Sequence, residues 1–171
     1  YRGPDSTGYF ISDDVLLGHK RLAIIDPEKG KQPMKYDNYV IVYNGEIYNT
    51  DSIRKKLIKK GYSFNTTSDT EVILKGYACY KEKIVEKLEG IFAFAIYDGK
   101  DLFLARDRLG VKPLFYTQID GNFLFASEIK ALLKNDLVQP IIDKESLQEL
   151  LGLGPSKIPG SGIFKGIKEL R

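Results

Sequence analysis

Two nearly continuous apolar runs constrain the fold of this 171-residue chain more than any other feature of its sequence. The first is I-F-A-F-A-I-Y at 91–97, and the second is F-L-F-A at 123–126. Each lies next to a short connection rich in Asp and Gly, at 98–101 and 120–122, which predicts hairpins and therefore antiparallel strands. A one-sided antiparallel sheet alternates apolar and polar side chains, so continuous runs predict burial on both faces.

Strands that are buried on both faces need cover on each side. The economical arrangement is two antiparallel sheets packed face to face with helices outside them. Helices are predicted at 51–60, at 128–134 and at 143–151. A further helix is predicted to follow the capping-box sequence S-D-T-E at 68–71. The sequence therefore predicts an α+β fold, a four-layer αββα sandwich. Residues 28–38 are predicted to be a polar loop, and 152–171 a linker tail leaving a domain of residues 1–151.

Composition excludes several classes of function. One cysteine and one histidine are too few for a disulfide framework or for a zinc site built from such ligands, so no metal is predicted. A single cysteine also fits a reducing, cytoplasmic compartment. No apolar run approaches membrane-spanning length, and a net charge of +3 is too small to indicate nucleic-acid binding. Cys79 is predicted to be a core residue, and His19 a structural one.

The segment Y-V-I-V-Y-N-G-E at 39–46 carries the most specific chemistry. Its β-branched and aromatic residues predict a strand over 40–43, which ends at Asn44-Gly45-Glu46. An amide side chain beside an unshielded N–H is what an oxyanion hole requires, and a neighbouring carboxylate can hold an ammonium group. The alternative is a tight turn, because Asn-Gly is first of all a turn signal.

Three further polar clusters stand at the ends of predicted elements: R-G-P-D at 2–5, Arg21, and Asp69. An arginine, two carboxylates and an amide–N–H pair could together hold a free amino acid, with the guanidinium on its α-carboxylate. Each cluster also has a structural interpretation, such as a strand-end ion pair for Arg21 or a helix-dipole partner for Asp69. Sequence alone does not show that the clusters converge.

Seven motifs together resemble a known family, the class II glutamine amidotransferase domain of glutamine-hydrolysing asparagine synthetases. They occur here in the family's order: R-G-P-D-S-x-G, G-H-K-R-L-A-I-I-D, Y-N-G-E-I-Y-N, S-D-T-E, E-G-I-F-A-F-A-I-Y-D, A-R-D-R-L-G-V-K-P-L-F-Y and F-A-S-E-I-K-A-L-L. The resemblance implies the N-terminal-nucleophile hydrolase type of αββα fold and L-glutamine as substrate. R-G-P-D favours asparagine synthetase over the hexosamine-phosphate and purine-pathway amidotransferases.

The resemblance also implies a role for each site residue. Arg21 would bind the glutamine α-carboxylate, and Glu46 and Asp69 would bind the α-ammonium group. The backbone around Ile24 and Ile25 would line the pocket. The oxyanion hole would be formed by two catalytic donors, the Asn44 side chain and the Gly45 N–H. The charged residues Arg106, Asp107, Arg108 and Lys112 are interpreted as a charged turn or a docking surface for the next domain.

Family members attack glutamine with a cysteine at the mature N-terminus, whose own amino group acts as the base. The chain starts at Tyr1 and shows no such cysteine, so we expect these residues alone to be an inactive fragment. By resemblance, a synthetase domain using ATP and Mg would follow Arg171. The tail, and the apolar surface that the missing N-terminal strand would leave exposed, favour a homodimer. Two alternatives stay open: the idle domain of a β-lactam-type synthetase, and a non-catalytic module that binds an amino acid or packs on a partner.

Overall fold

The computed structural model describes residue 3 and residues 5–21, 30–142, 144–153 and 163–171. The chain divides into two compact units, unit 1 (residues 1–105) and unit 2 (residues 106–171). The predicted strand at 22–25 lies outside the described residues.

The described part of unit 1 contains two antiparallel assemblies of strands. β1 (Ser6–Ile11) and β2 (Leu16–Arg21) form a two-stranded ribbon. The other sheet has the order β3-β4-β5-β6, and its members are β3 (Met34–Tyr36), β4 (Tyr39–Ile47), β5 (Gly90–Tyr97) and β6 (Leu102–Arg106). β3 falls within 28–38, so the prediction of a polar loop there is wrong for those three residues.

β4 is longer than its sequence predicted. It does not end at Tyr43 but continues through Asn44 to Ile47, paired antiparallel with β5. The tight-turn alternative is therefore wrong. Two glycines permit the close approach of the strands: a Cβ on Gly45 would lie 2.2 Å from the Ile91 carbonyl oxygen, and one on Gly90 would lie 2.2 Å from that of Glu46.

The predicted two-sided burial holds for one apolar run and fails for the other. Every residue of β5 from Phe92 to Tyr97 is buried. Phe92, Phe94 and Ile96 belong to the main core, and the Tyr97 ring meets that of Phe10 from β1. By contrast Phe123 is 44% exposed, because its strand lies at one end of its sheet, where fewer neighbours cover it.

Two α-helices and a 3-10 helix complete unit 1: α1 (Thr50–Lys59), α2 (Asp69–Tyr80) and the 3-10 helix (Lys81–Lys87). α1 agrees with the predicted 51–60 to within one residue. α2 is buried at every position from Asp69 to Tyr77, which makes it the central helix of the unit. Ser68 caps α2 as predicted, accepting a hydrogen bond from the Thr70 N–H at 3.2 Å.

The described part of unit 2 contains a three-stranded antiparallel sheet in the order β8-β7-β9. Its strands are β7 (Phe115–Ile119), β8 (Asn122–Ala126) and β9 (Lys168–Glu169), and its helices are α3 (Ile129–Leu132) and α4 (Lys144–Leu153). α3 is a single turn, shorter than the predicted 128–134. Ile167, in the predicted tail, is buried beside β9. The domain boundary after residue 151 stays a prediction.

Antiparallel sheets combined with helices confirm the predicted α+β class. All of the predicted site residues belong to unit 1, where β2, β4 and the first turn of α2 supply those that the structure describes.

Candidate active site

The candidate site is built on an open edge of β4. The β3–β4 ladder begins at Tyr36↔Tyr39 and ends at Met34↔Ile41, so β4 runs on beyond its partner strand. Ladder hydrogen bonds alternate along an antiparallel strand. The N–H of Tyr43 bonds on the β3 side of β4, so the N–H of Gly45 and that of Ile47 point to the same side.

Side chains alternate across this segment as well. Asn44 and Glu46 are both exposed and, being two residues apart, project from the same face of the sheet. Tyr43 and Ile47 are buried and fix the segment at both ends. The amide of Asn44, the N–H of Gly45 and the carboxylate of Glu46 are therefore presented from a rigid strand.

Asp69 connects α2 to both ends of this segment. It is the first residue of α2 and only 5% exposed. Its Oδ2 accepts hydrogen bonds from the Tyr43 hydroxyl at 2.6 Å and from the Ile47 N–H at 3.4 Å, and its Oδ1 accepts one from the Thr70 N–H at 2.9 Å. A carboxylate offers about four acceptor positions, so these three bonds leave capacity for one further donor.

Tyr43 keeps its proton in this environment. Burial raises the pKa of its hydroxyl far above the ordinary 10.0, and the negative charge of Asp69 raises it further. The hydroxyl is therefore a permanent donor to the Asp69 carboxylate. That bond ties the residue before the Asn44-Gly45 pair to the N-terminus of α2.

Arg21 lies at the end of β2, where it is buried. Two described residues of the R-G-P-D segment lie beside this strand end. Asp5 donates its N–H to the Arg21 carbonyl at 3.1 Å. Gly3 has a φ of +71°, and a Cβ there would lie 2.4 Å from the Lys20 carbonyl, so only glycine fits this contact. Two of the predicted polar clusters are thereby brought together.

β2 is also joined to β4 through His19, whose Nε2 donates to the Tyr43 carbonyl at 3.0 Å. The structure thus brings Asp69 to the segment with Asn44, Gly45 and Glu46, and it brings β2, which carries Arg21, to the same strand. Ile24 and Ile25 lie outside the described residues. The roles of these seven residues toward a ligand stay predictions.

Cys79 is separate from this group. It lies near the C-terminal end of α2, ten residues or about 15 Å beyond Asp69 along the helix, partly buried against the main core. It is therefore a packing residue of α2, as predicted.

Sequence reasoning missed two residues that shape the site, Gln32 and Tyr43. The Gln32 side chain bonds both backbone groups of Tyr43, and Tyr43 in turn bonds Asp69. Tyr43 was predicted only as part of an apolar strand, and Gln32 as part of a polar loop. The one available signal was the chain order, which places Gln32 just before a segment able to pair with 39–41.

Two further statements hold for the ranges that the structure describes. Within them, no group of three or more His, Cys, Asp or Glu side chains is arranged to hold a metal ion. Among those residues there is also no helix with the length and apolar character needed to cross a bilayer.

The fold agrees with comparisons to known proteins. The chain belongs to the glutamine amidotransferase family, since the model of the glutamine amidotransferase domain matches residues 1–171. Its curated relatives include asparagine synthetase [glutamine-hydrolyzing] 3 of Bacillus subtilis, 54% identical over 99% of this chain and 29% of the relative. Asparagine synthetase [glutamine-hydrolyzing] 1 of the same organism is 50% identical over 88% of this chain and 24% of the relative.

Solved structures give the same fold class. Glutamine phosphoribosylpyrophosphate amidotransferase from B. subtilis, complexed with ADP and GMP, matches with a TM-score of 0.60 and 25% identity over 68% of this chain and 28% of that chain. The predicted N-terminal-nucleophile hydrolase class is thereby confirmed. The chain spans less than a third of the length of the two curated relatives named above.

Proposed function

We propose that this chain is the glutamine-hydrolysing part of an asparagine synthetase, which releases ammonia from L-glutamine for the ATP-dependent amidation of aspartate. The observation that carries the proposal is the open edge of β4, where Asp69 bonds both Tyr43 and Ile47 on either side of Asn44-Gly45-Glu46. The asparagine synthetases among its relatives favour this acceptor over the others.

In this proposal, charged side chains bind both the α-carboxylate and the α-ammonium group of glutamine. The Arg21 guanidinium pairs with the α-carboxylate, and Glu46 and Asp69 receive the α-ammonium group. The backbone around Ile24 and Ile25 lines the side-chain pocket. Asp69 reaches the ligand with its remaining acceptor position, so it both binds substrate and anchors β4.

The chemistry is acyl transfer to a thiolate. A cysteine at the mature N-terminus attacks the side-chain carbonyl carbon, and the carbonyl oxygen takes up the negative charge. The Asn44 amide and the Gly45 N–H stabilise that oxyanion, each such donor being worth about 2.7–4 kcal/mol. The α-amino group of that cysteine takes the thiol proton and passes it to the amide nitrogen. Collapse of the intermediate then expels ammonia and leaves a thioester, which water hydrolyses to glutamate and free thiol.

The ammonia is consumed in a synthetase domain of the same protein, which is the proposed partner of this one. There the β-carboxylate of aspartate would attack the α-phosphorus of ATP, with Mg bound, to form a β-aspartyl-adenylate and release pyrophosphate, and ammonia would then displace AMP to give asparagine. No cofactor is proposed for the amidotransferase domain itself. We place the protein in the cytoplasm, and we propose a homodimer as its assembly.

The test is intact-mass spectrometry of the native full-length protein after treatment with a diazo-ketone analogue of glutamine, with the adduct mapped. A single adduct on an N-terminal cysteine is the expected result. An adduct on Cys79 would contradict the core position of that residue, and no adduct would favour an idle or purely binding domain.

The binding roles need a separate measurement. Calorimetric titration with glutamine should detect no binding to Arg21→Ala or Asp69→Ala, because each change removes one charge that the ligand requires. Lys20→Ala is the matched control, since Lys20 is the exposed neighbour of Arg21 on the same strand. Unchanged affinity in Arg21→Ala would refute the carboxylate assignment.

A further inference from the structure

Gln32 continues the β3–β4 ladder with its side chain. The register Met34↔Ile41, carried two residues further, sets Gln32 opposite Tyr43. The intervening Pro33 has no N–H to offer a ladder. Instead, the Gln32 side-chain Nε2 donates to the Tyr43 carbonyl at 3.0 Å, and the Tyr43 N–H donates to the Gln32 Oε1 at 2.6 Å. A primary amide presents a donor and an acceptor side by side, as a peptide group does.

Gln32 is itself held by two other elements. Its Nε2 lies 3.4 Å from the Thr70 hydroxyl, in the first turn of α2. Its main-chain carbonyl sits against β1, where a Cβ on Gly8 would lie only 2.1 Å from the oxygen. The amide that bonds Tyr43 therefore has little freedom to move.

These contacts set the environment of the Gly45 N–H. Of the three N–H groups along the open edge of β4, Tyr43 bonds Gln32 and Ile47 bonds Asp69. The Gly45 N–H lies between them, with both neighbouring positions anchored. Its own peptide, 44–45, is held on the other side of β4 by the pairing of Asn44 with Ala93 of β5. The anchored N–H groups of Tyr43 and Ile47 fix the peptides on either side of it, which limits how far this plane can turn.

We infer that Gln32 is a positioning residue for the oxyanion hole, acting through Tyr43 on the direction of the Gly45 N–H. The inference rests on the proposed glutamine hydrolysis. An oxyanion donor must lie about 2.7–3.1 Å from the developing charge. A misplacement of about 1 Å costs about 100-fold in rate. Gln32 therefore acts on the chemical step and leaves ground-state binding of glutamine unchanged.

Two variants test this in the native full-length protein. Gln32→Leu removes both hydrogen bonds to Tyr43, and Gln32→Glu keeps the size and the acceptor but loses the donor. We expect kcat for ammonia release to fall by about 10- to 100-fold, with KM for glutamine changed by less than about twofold. Gln118→Leu is the matched control, since Gln118 is an exposed glutamine on β7. Its kcat and KM should equal those of the wild type.

Affinity for an aldehyde analogue of glutamine distinguishes a positioning role from a general structural one, because only the positioning role predicts a selective loss of affinity for this analogue. The analogue forms a tetrahedral adduct whose oxygen occupies the oxyanion hole, so its affinity should fall by the same factor as kcat. Affinity for glutamate, the product, should stay constant. In Gln32→Glu, protonation restores an O–H donor, so its kcat relative to wild type should rise as pH is lowered toward the carboxyl pKa.

The outcomes separate the two proposals. A wild-type protein that releases no ammonia and takes up no diazo-ketone analogue would refute the proposed function and this inference with it. An active wild type with unchanged kcat in both Gln32 variants would overturn the positioning role alone. The positioning role would also be overturned if the variants raised KM and left kcat unchanged. It would be overturned as well if the fall in activity of Gln32→Glu were explained entirely by a lower melting temperature.

Discussion

His19 is the single histidine of the sequence, and its surroundings determine its charge. Its Nε2 donates to the Tyr43 carbonyl, while its Nδ1 is buried with no hydrogen-bond partner among the described residues. Burial lowers its pKa below the ordinary 6.5, outweighing the opposite effect of that hydrogen bond, and the charge of Arg21 lowers it further. The ring is therefore neutral at pH 7.

The pH dependence of stability follows from this shift. The unfolded chain takes up a proton on His19 near pH 6.5, whereas the folded chain takes it up only at lower pH. Stability from this residue is thus full above 6.5 and is lost as pH falls from 6.5 to the folded pKa. With no second histidine, the difference in melting temperature between wild type and His19→Gln should be constant above pH 6.5 and should change below it, as the wild type loses stability. A wild type that gains stability there relative to the variant would contradict the neutral assignment.

At this scale the sequence predicted the residues that carry chemistry and missed those that hold them. Asn44, Gly45 and Asp69 were recognisable because few other residue types can supply an oxyanion donor pair or a helix-terminal carboxylate. The role of Gln32 depends on the register of a three-residue strand. So short a segment carries too little periodicity to predict its pairing.

Among the elements, α2 is tied to the loop before it by a buried ion pair. Glu71 accepts hydrogen bonds from the N–H groups of Asn65 and Thr66, and its Oε1 lies 2.6 Å from the Lys75 Nζ. Lys75 also donates to the Ser63 carbonyl at 2.5 Å. Burial raises the pKa of Glu71, but the hydrogen bonds from Lys75 and the loop outweigh it, and the net pKa is lowered.

Breaking this pair from one side should be far worse than removing it. Glu71→Gln or Lys75→Met leaves a charge that is about 5% exposed without its partner, at about 3–5 kcal/mol each. In the double variant no charge remains, so its loss should be smaller than the sum by about 1–3 kcal/mol. Urea unfolding of the four proteins gives these values. Strict additivity would show that the two side chains are not coupled.

The sequence pattern predicted the start of α2 correctly but predicted the wrong hydrogen-bond partner for Glu71. In a capping box, Glu71 would reach back to the Ser68 N–H, whereas here that N–H donates to the Thr66 hydroxyl. Glu71 instead faces the loop and Lys75. A spacing rule sees only the helix, and it cannot anticipate a competing set of donors from a loop that folds over the same turn.

At the scale of the whole chain, one guanidinium links two segments of unit 2 that are far apart in sequence. The Arg106 side chain donates to the carbonyls of Lys112, Gly110 and Leu170 at 2.6, 2.5 and 2.8 Å, and it pairs with Glu169 at 2.9 Å. It therefore joins the 107–112 turn to the end of the chain. Gly110, with a φ of +64°, has no Cβ that would meet the guanidinium.

Arg106→Lys should loosen the contact between the 107–112 turn and residues 169–170. Lysine cannot reproduce the planar fork, so most of these bonds are lost at about 1.5–3 kcal/mol for a charged hydrogen bond. Hydrogen exchange at the Leu170 amide, which bonds the Leu114 carbonyl at 2.8 Å, should quicken by about tenfold or more. Arg108→Lys, at an exposed position, is the control. Equal protection in both variants would show that Arg106 does not hold the turn.

The fold class was predictable because few arrangements of sheets and helices bury a strand on both faces, and β5 is buried in this way. The pattern could not distinguish a central strand from one at the end of a sheet, and Phe123 therefore came out exposed. The buried Ile167 and the pairing of β9 were equally hidden, since the Gly and Pro residues at 152–162 favour a linker for the whole tail and β9 is only two residues long. Long-range pairing of two residues leaves no local signature.

The two glycines at which β4 and β5 pair most closely, Gly45 and Gly90, also limit which substitutions the sequence can accept. A side chain at Gly45 or Gly90 would strike main-chain atoms of the opposite strand, so no smaller side chain elsewhere can make room. Second-site suppressors of Gly45→Ala would have to move a whole strand, and they should be absent from the core positions where suppressors usually arise. These two positions should therefore accept glycine alone, whatever changes occur around them.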